Sequence, residues 1–223
     1  MAATRTSAER EPLDREAIVA AAIAIADEEG IDALTMRNLA RSLGYEVMSL
    51  YNHVANKDEV VAQMVDTIAA EIDDPPPGAE PLEAARALAV SARDALVRHP
   101  WVPQLWLHHV PGPARTRHME NLLRVLDDSG LAPDLAHHGF HAVNNHVLGY
   151  TLQEQEMQTG LDELGGVESG ARDYMAQMPA DEYPHTIKHV QQHLDGDTGS
   201  SFELVLDLIL DGLVRLDEAR PTA

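Results

Sequence analysis

The chain of 223 residues contains no cysteine, which excludes a disulfide scaffold, thiolate metal sites and cysteine nucleophiles. Aromatic residues are few, at 4%, and alternating apolar patterns are missing, so β-strands have little to build on. Positive charge is also scarce: 16 Lys and Arg stand against 37 Asp and Glu, a formal net charge of -21. Such a chain repels nucleic-acid phosphates at long range, so any contact with DNA has to be local. Long apolar runs are missing as well. The stretch AIVAAAIAIA from Ala17 to Ala26 is too short and too alanine-rich to span a bilayer. The arginines of MAATRTSAEREPLD have no apolar segment behind them and do not read as a secretory signal. These absences predict a cytoplasmic protein without a membrane partner. Neither G-x-S-x-G, a P-loop nor a Gly-rich dinucleotide turn occurs, so the usual marks of hydrolases and nucleotide enzymes are lacking. No cofactor and no catalytic residue is expected.

With 44% hydrophobic residues the chain has enough apolar material for a core. Ala, Leu, Glu, Arg and Asp recur at helical spacing, which predicts an all-α fold. A first helix is expected over Asp14 to Glu29, capped by Asp14 and ended by Gly30. Thr35 caps a short second helix whose Met36, Leu39, Ala40 and Leu43 form an apolar stripe, stopped by Gly44. A third is expected over Glu46 to Val54, and Asn56 caps a fourth carrying Val60, Val61, Met64, Val65 and Ile68. The segment DDPPPGAEP cannot continue a helix and sets a domain boundary. The division is an N-terminal arm at 1–13, expected to be disordered, a head at 14–72, a Pro-rich linker at 73–81 and a helical body at 82–223. In the body, helices are expected over Leu82–Arg98, Val102–His109, Ala114–Ser129, Asp134–Gln158, Gly170–Met178, Thr186–Leu194 and Ser201–Ala219. A loop is expected between Gln158 and Gly170, where glycines gather.

LARSLGYEVMSLYNHV, from Leu39 to Val54, sets two short apolar-periodic segments around a glycine. The second segment carries Ser49, Tyr51, Asn52 and His53 where a solvated face would ordinarily be charged. Two helices joined this way make a helix-turn-helix if the second can lie in a major groove. Ala40 allows close approach, Gly44 takes the positive backbone angle, and Leu50 packs the second helix onto the first. Between Leu34 and Lys57 the basic residues Arg37, Arg41 and Lys57 face a single acid, Glu46.

The wider run ALTMRNLARSLGYEVMSLYNHVANKDEVVAQMVDTI resembles the DNA-binding domain of the tetracycline-repressor (TetR) family of bacterial transcription regulators. The likeness rests on Leu34-Thr35, Leu39-Ala40, Leu43-Gly44, Leu50-Tyr51, His53-Val54 and Asn56-Lys57. It implies an N-terminal helix-turn-helix head, a larger helical body for ligand binding and dimerisation, and a repressor released from palindromic operator DNA by a small-molecule effector. It also implies that Arg37 reaches a base or phosphate, that exposed residues of the third helix read bases, and that Tyr51, His53 and Lys57 grip phosphates. Their chemistry suits those roles, since hydroxyl, imidazole and ammonium groups are ordinary phosphate partners. Val47 and Met48 offer apolar contact to thymine methyls, Ser49 a hydroxyl, and Asn52 either a pairing with adenine or a solvated amide. Arg5 and Arg10 are candidates for a minor-groove arm, against the plainer reading of a frayed tail.

The last helix, SFELVLDLILDGLVRLDEA, is apolar around most of its circumference apart from a stripe of Glu203, Asp207, Asp211 and Arg215. Such a helix is buried on more than one side. Val205, Leu208, Ile209 and Leu213, with Phe140, Val143 and Val147 of the long preceding helix, are therefore candidates for a four-helix homodimer interface; the alternative is a large monomeric core. Candidate effector-pocket residues are Trp101, Trp106, His109, Met119, Leu123, His141, Asn145 and Tyr150, each also readable as plain packing. An apolar chamber with few polar groups would suit an aromatic or mostly apolar effector. Eleven of the 12 histidines follow residue 98. His185, His189 and His193 share one helix face, which keeps a metal-sensing repressor as the second reading. A metal-dependent hydrolase using His137 and His141, and a helical adaptor with a decayed head, are the remaining alternatives.

Overall fold

A computed structural model describes residues 13–163, 167–194 and 201–220, without the side chains of 157–163, 167, 168 and 193. The arm bearing Arg5 and Arg10 and the side chain of His193 lie outside the described residues. Eleven α-helices and one 3-10 turn make up the described regular structure, and no strand occurs among these residues.

The head comprises α1 (Arg15–Glu29), α2 (Met36–Leu43), α3 (Val47–Leu50) and α4 (Lys57–Ala69). The starts of α1, α2 and α4 are each set by a short polar side chain that satisfies an orphan amide. Asp14 accepts from Ala17 N at 2.8 Å, Thr35 from Asn38 N at 3.1 Å, and Asn56 from Glu59 N at 2.8 Å. The α2–α3 turn needs Gly44, whose φ of 72° is left-handed and which closes α2 through bonds to Ala40 and Arg41 carbonyls. Ile18, Leu39, Leu50, Val60 and Met64 are fully buried and form the centre of this unit.

The body comprises α5 (Pro81–Arg98), α6 (Val102–Leu105), α7 (Pro113–Asp128), α8 (Pro133–Glu163), α9 (Val167–Ala176), α10 (Pro184–Leu194) and α11 (Ser201–Glu218). Helix α8 is its axis, packed against α5, α7 and α11. A Cβ on Gly139 of α8 would come within 2.8 Å of Leu213 Cδ1, so glycine permits the close crossing of α8 and α11. Arg86 of α5 ties down the polar stripe of α11, donating to Asp207 at 2.8 Å and Glu203 at 3.0 Å. Among the described residues no helix is long and apolar enough to cross a membrane.

Three expectations need correction. Helix α3 is α-helical only to Leu50. Beyond it the chain tightens into turns, with Asn52 N bonded to Ser49 O at 3.3 Å and His53 N to Leu50 O at 2.9 Å. Helix α6 stops at Leu105 rather than continuing to His109, because Arg115 draws the carbonyls of Trp106 and His109 to its guanidinium at 2.5 and 2.6 Å. The loop expected between Gln158 and Gly170 is mostly helix: α8 runs to Glu163 and α9 begins at Val167. An isolated glycine such as Gly160 costs a helix interior only about 1 kcal/mol and need not end it.

Candidate nucleic-acid interface

Helices α2 and α3 present two contrasting faces. Leu39, Ala40 and Leu50 are buried, while Met48 is 72% and Tyr51 43% exposed. Arg37 and Asn52 are exposed, and Val47, Ser49, His53 and Lys57 are half-buried. All eight residues expected at DNA therefore lie on α2, α3, the turn after it, or the first residue of α4. Burying large apolar side chains beneath α3 leaves Met48 and Tyr51 no choice but to project outward, given a helical repeat of 3.6 residues. Arg41, also exposed, donates to Asn38 on the preceding turn of α2, and Asn38 in turn donates to Ala33 O at 2.8 Å. The head thus offers a compact surface of hydrogen-bonding and cationic groups on a strongly acidic molecule.

Two aspartates seat the head on the body. Asp27 of α1 accepts from Trp101 Nε1 at 2.7 Å and lies 2.9 Å from His99 Nδ1. His99 Nε2 is 3.3 Å from Glu71, which also pairs with Arg98 at 2.8 Å. Asp66 of α4 accepts the first amides of α7, from Ala114 at 3.2 Å and Arg115 at 2.9 Å, acting as an N-terminal cap supplied by another helix. Gly112 leaves room for this carboxylate, because a Cβ there would come within 2.6 Å of both Asp66 carboxylate oxygens. Arg115 is buried, its guanidinium stacked 5.6 Å from the Trp106 ring centroid, with the Asp66 charge partly offsetting its desolvation.

The residues expected to line one effector chamber are divided among several places. Trp101 and Trp106 are buried in the head–body junction, and His109 contributes its carbonyl to Arg115 there. Met119 is half-buried on α7, while Leu123, His141 and Asn145 are exposed. Tyr150 lies in a separate cluster with His146, Phe202 and Arg93, its ring 5.4 Å from Phe202. Two surface cavities, of about 510 and 770 Å³, contain none of these residues; one lies along α5 around Arg86 and Ser91, the other between α1 and α4 around Val19 and Gln63. A further inward polar group, outside the expected set, is His118 of α7, 6% exposed, with Nδ1 buried and unpartnered. Its signal was present: Arg115 and His118 interrupt the inward stripe that continues through Leu122 and Val125.

The expected interface residues are also divided. Val143, Val147 and Leu213 are buried within the chain, and Phe140 and Ile209 are half-buried. Val205 and Leu208 remain open, beside Leu204 and Leu216, which are 63% and 60% exposed. No group of three His, Cys, Asp or Glu side chains is placed to hold a metal among the described residues. His185 and His189 stand exposed on α10.

Comparison with known proteins covers both parts of the chain. A family model described as bacterial regulatory proteins, tetR family, matches residues 18–64, and one described as tetracyclin repressor-like, C-terminal domain, matches 75–216. The HTH-type transcriptional repressor DrrR1 of Streptomyces coeruleorubidus is 31% identical, over 90% of this chain and 76% of its own. The class D tetracycline repressor protein of Escherichia coli is 29% identical, over 95% of this chain and 92% of its own. Among solved structures, the TetR family protein ActR of Streptomyces coelicolor in complex with (S)-DNPA has a TM-score of 0.74 at 29% identity, covering 92% of this chain and 98% of that one. The same protein in complex with actinorhodin has a TM-score of 0.72 at 28% identity, covering 93% and 99%. With head and body each matched in place, the chain belongs to the tetracycline-repressor (TetR) family of bacterial transcription regulators.

Proposed function

We propose that the chain is a homodimeric repressor that binds a palindromic operator through two α2–α3 units and is released by a small organic effector held in the body, and that it is not an enzyme. The observation carrying this reading is the exposure of Met48 on α3 and of Tyr51 just past its end, above a fully buried Leu50. On an acidic chain this is where cations and hydroxyls are gathered locally, as DNA contact requires. Met48, Val47, Ser49 and Asn52 face the bases in this proposal, Tyr51, His53 and Lys57 the phosphates, and Arg37 either. The domain division at the 73–81 linker separates the reading unit from the responding one.

In the body, His118 is the polar group best suited to contact an effector. Its Nδ1 is buried without a partner, and it stands on the helix whose first turn Asp66 caps. A ligand that moved α7 would move Asp66 and with it α4, and so alter the separation of two heads; only an effector that favours one separation over the other can release DNA. The exposed leucines of α11 support a second copy as the partner. The ligands named for ActR favour an organic effector over the metal-sensing reading of His185, His189 and His193. Selection of bound sequences from random duplex DNA, followed by a screen for compounds that release them, tests the whole proposal. Failure to retain any duplex at modest ionic strength would sink it.

A further inference from the structure

Arg15, the first residue of α1, and Glu59, in the first turn of α4, meet at the exit of the recognition helix α3. Arg15 Nη1 is 2.6 Å from Glu59 Oε1, and Arg15 Nη2 donates to the His53 carbonyl at 2.7 Å. Glu59 Oε2 accepts from the Ala55 amide at 2.6 Å, and Gln63 Nε2 donates to Glu59 Oε1 at 3.1 Å. The pair therefore holds the backbone on both sides of Val54, whose side chain is buried. Both backbone groups lie where no helix supplies a partner, His53 O past the end of α3 and Ala55 N before the start of α4. In an ordinary capping box a carboxylate at this position takes the amide of the capping residue itself. Here Asn56 caps α4 through Glu59 N, while the Glu59 side chain reaches one residue further back. The Ala55 hydrogen bond, foremost among the causes, holds the Glu59 carboxyl below its usual pKa.

Arg15 and Glu59 are 55% and 29% exposed, and an ion pair so placed adds little to stability. Its consequence is geometric, because the ends of α1, α3 and α4 are joined at one point. Tyr51, Asn52 and His53 precede the pinned carbonyl, and Lys57 follows the pinned amide. We propose that Arg15 and Glu59 are positioning residues for DNA binding: a clamp that sets the exit of α3 and thereby the spacing of Tyr51 and His53 from Lys57. The inference rests on the reading of α2–α3 as the DNA-binding unit. It runs against the simple electrostatic expectation, under which Arg15 is one more phosphate contact and Glu59 an acid that repels the duplex.

The test uses the full chain and a duplex recovered by the wild type from a random pool, with dissociation constants measured by fluorescence anisotropy over a KCl series. If the wild type recovers no duplex, the DNA-binding reading fails and the clamp has nothing to position. If it does, Glu59→Ala is expected to bind roughly tenfold more weakly, the scale of one hydrogen bond's worth of ordering. Glu59→Gln, which keeps an oxygen for the Ala55 amide, should regain most of that loss. Arg15→Ala should weaken binding with an unchanged salt slope, whereas a phosphate contact would lower the slope by about 0.9. Binding by Glu59→Ala as tight as wild type or tighter, or a reduced slope in Arg15→Ala, overturns the proposal. Should Glu59→Ala lose its helical circular dichroism, Arg15→Ala, Glu59→Gln and their double variant decide it. A loss in Arg15→Ala at an unchanged salt slope, little larger in the double variant, supports the clamp, and wild-type affinity in Arg15→Ala overturns it.

Discussion

Tyr51 and His118 represent two kinds of residue in this chain, one pushed outward by the packing beneath it and one enclosed without a partner. Tyr51 is 43% exposed and makes no contribution to the apolar interior. Replacing it with alanine should weaken binding to a selected duplex roughly tenfold, the value of one hydrogen bond to a charged group. Helicity and sedimentation mass should not change, and an unaltered affinity would remove Tyr51 from the interface. His118 behaves differently, since burial pushes its pKa down from 6.5 to about 4. The unfolded chain takes up a proton near pH 6.5 that the folded chain refuses until about pH 4. Stability is therefore complete above pH 6.5 and falls as the pH is lowered through that window, by up to ~3 kcal/mol. Urea midpoints measured across the window should show the decline, and His118→Asn should flatten it. A variant with the wild-type slope would mean that another group titrates.

The helices show where local sequence suffices and where it does not. Asp14, Thr35 and Asn56 cap the helices expected of them, and Gly30 and Gly44 end theirs with positive φ. Those signals act within a few residues, so a sequence carries them whole. The early end of α6 depends on Arg115 folding back onto a carbonyl 9 residues before it, and the cap of α7 on Asp66, 49 residues from the amide it binds and outside any local window. This junction makes a prediction of its own. Gly112→Ala should push the Asp66 carboxylate off the first turn of α7 and destabilise the fold by about 1 kcal/mol, the usual value of a lost N-cap. Asp66→Ala should cost about as much, and the double variant little more than either alone. Denaturation midpoints of the three variants check this, and simple additivity would show that the two residues do not share one contact.

Across the whole molecule, a net charge of -21 leaves the proposed DNA contact to the cations near α2 and α3, which act locally and at short range. Affinity should therefore decline steeply with added salt. The exposed stripe on α11 should join two chains. Leu208 is 55% exposed, so Leu208→Asp removes apolar contact without entering the core, and monomers with a normal helical signal are expected on sedimentation. A variant that stays dimeric at micromolar concentration would place the interface elsewhere. Ile209 is a poorer probe, being half-buried in its own chain. The same distinction bears on the other expected interface residues: the α11 sequence is apolar on two sides but does not say which side its own chain covers. Gly139, small enough for a close crossing, turns out to serve Leu213 of the same chain. By itself the sequence determined the helical class, the head with its turn at Gly44 and the family, because periodicity, caps and motif residues lie close together along the chain. Only the tertiary structure decided that Asp27 and Asp66 seat the head, that His118 is enclosed, that Arg15 is paired with Glu59, and which apolar residues remain uncovered. Each of these depends on groups brought together from distant parts of the chain, and burial is a property of the packed whole rather than of any residue in it.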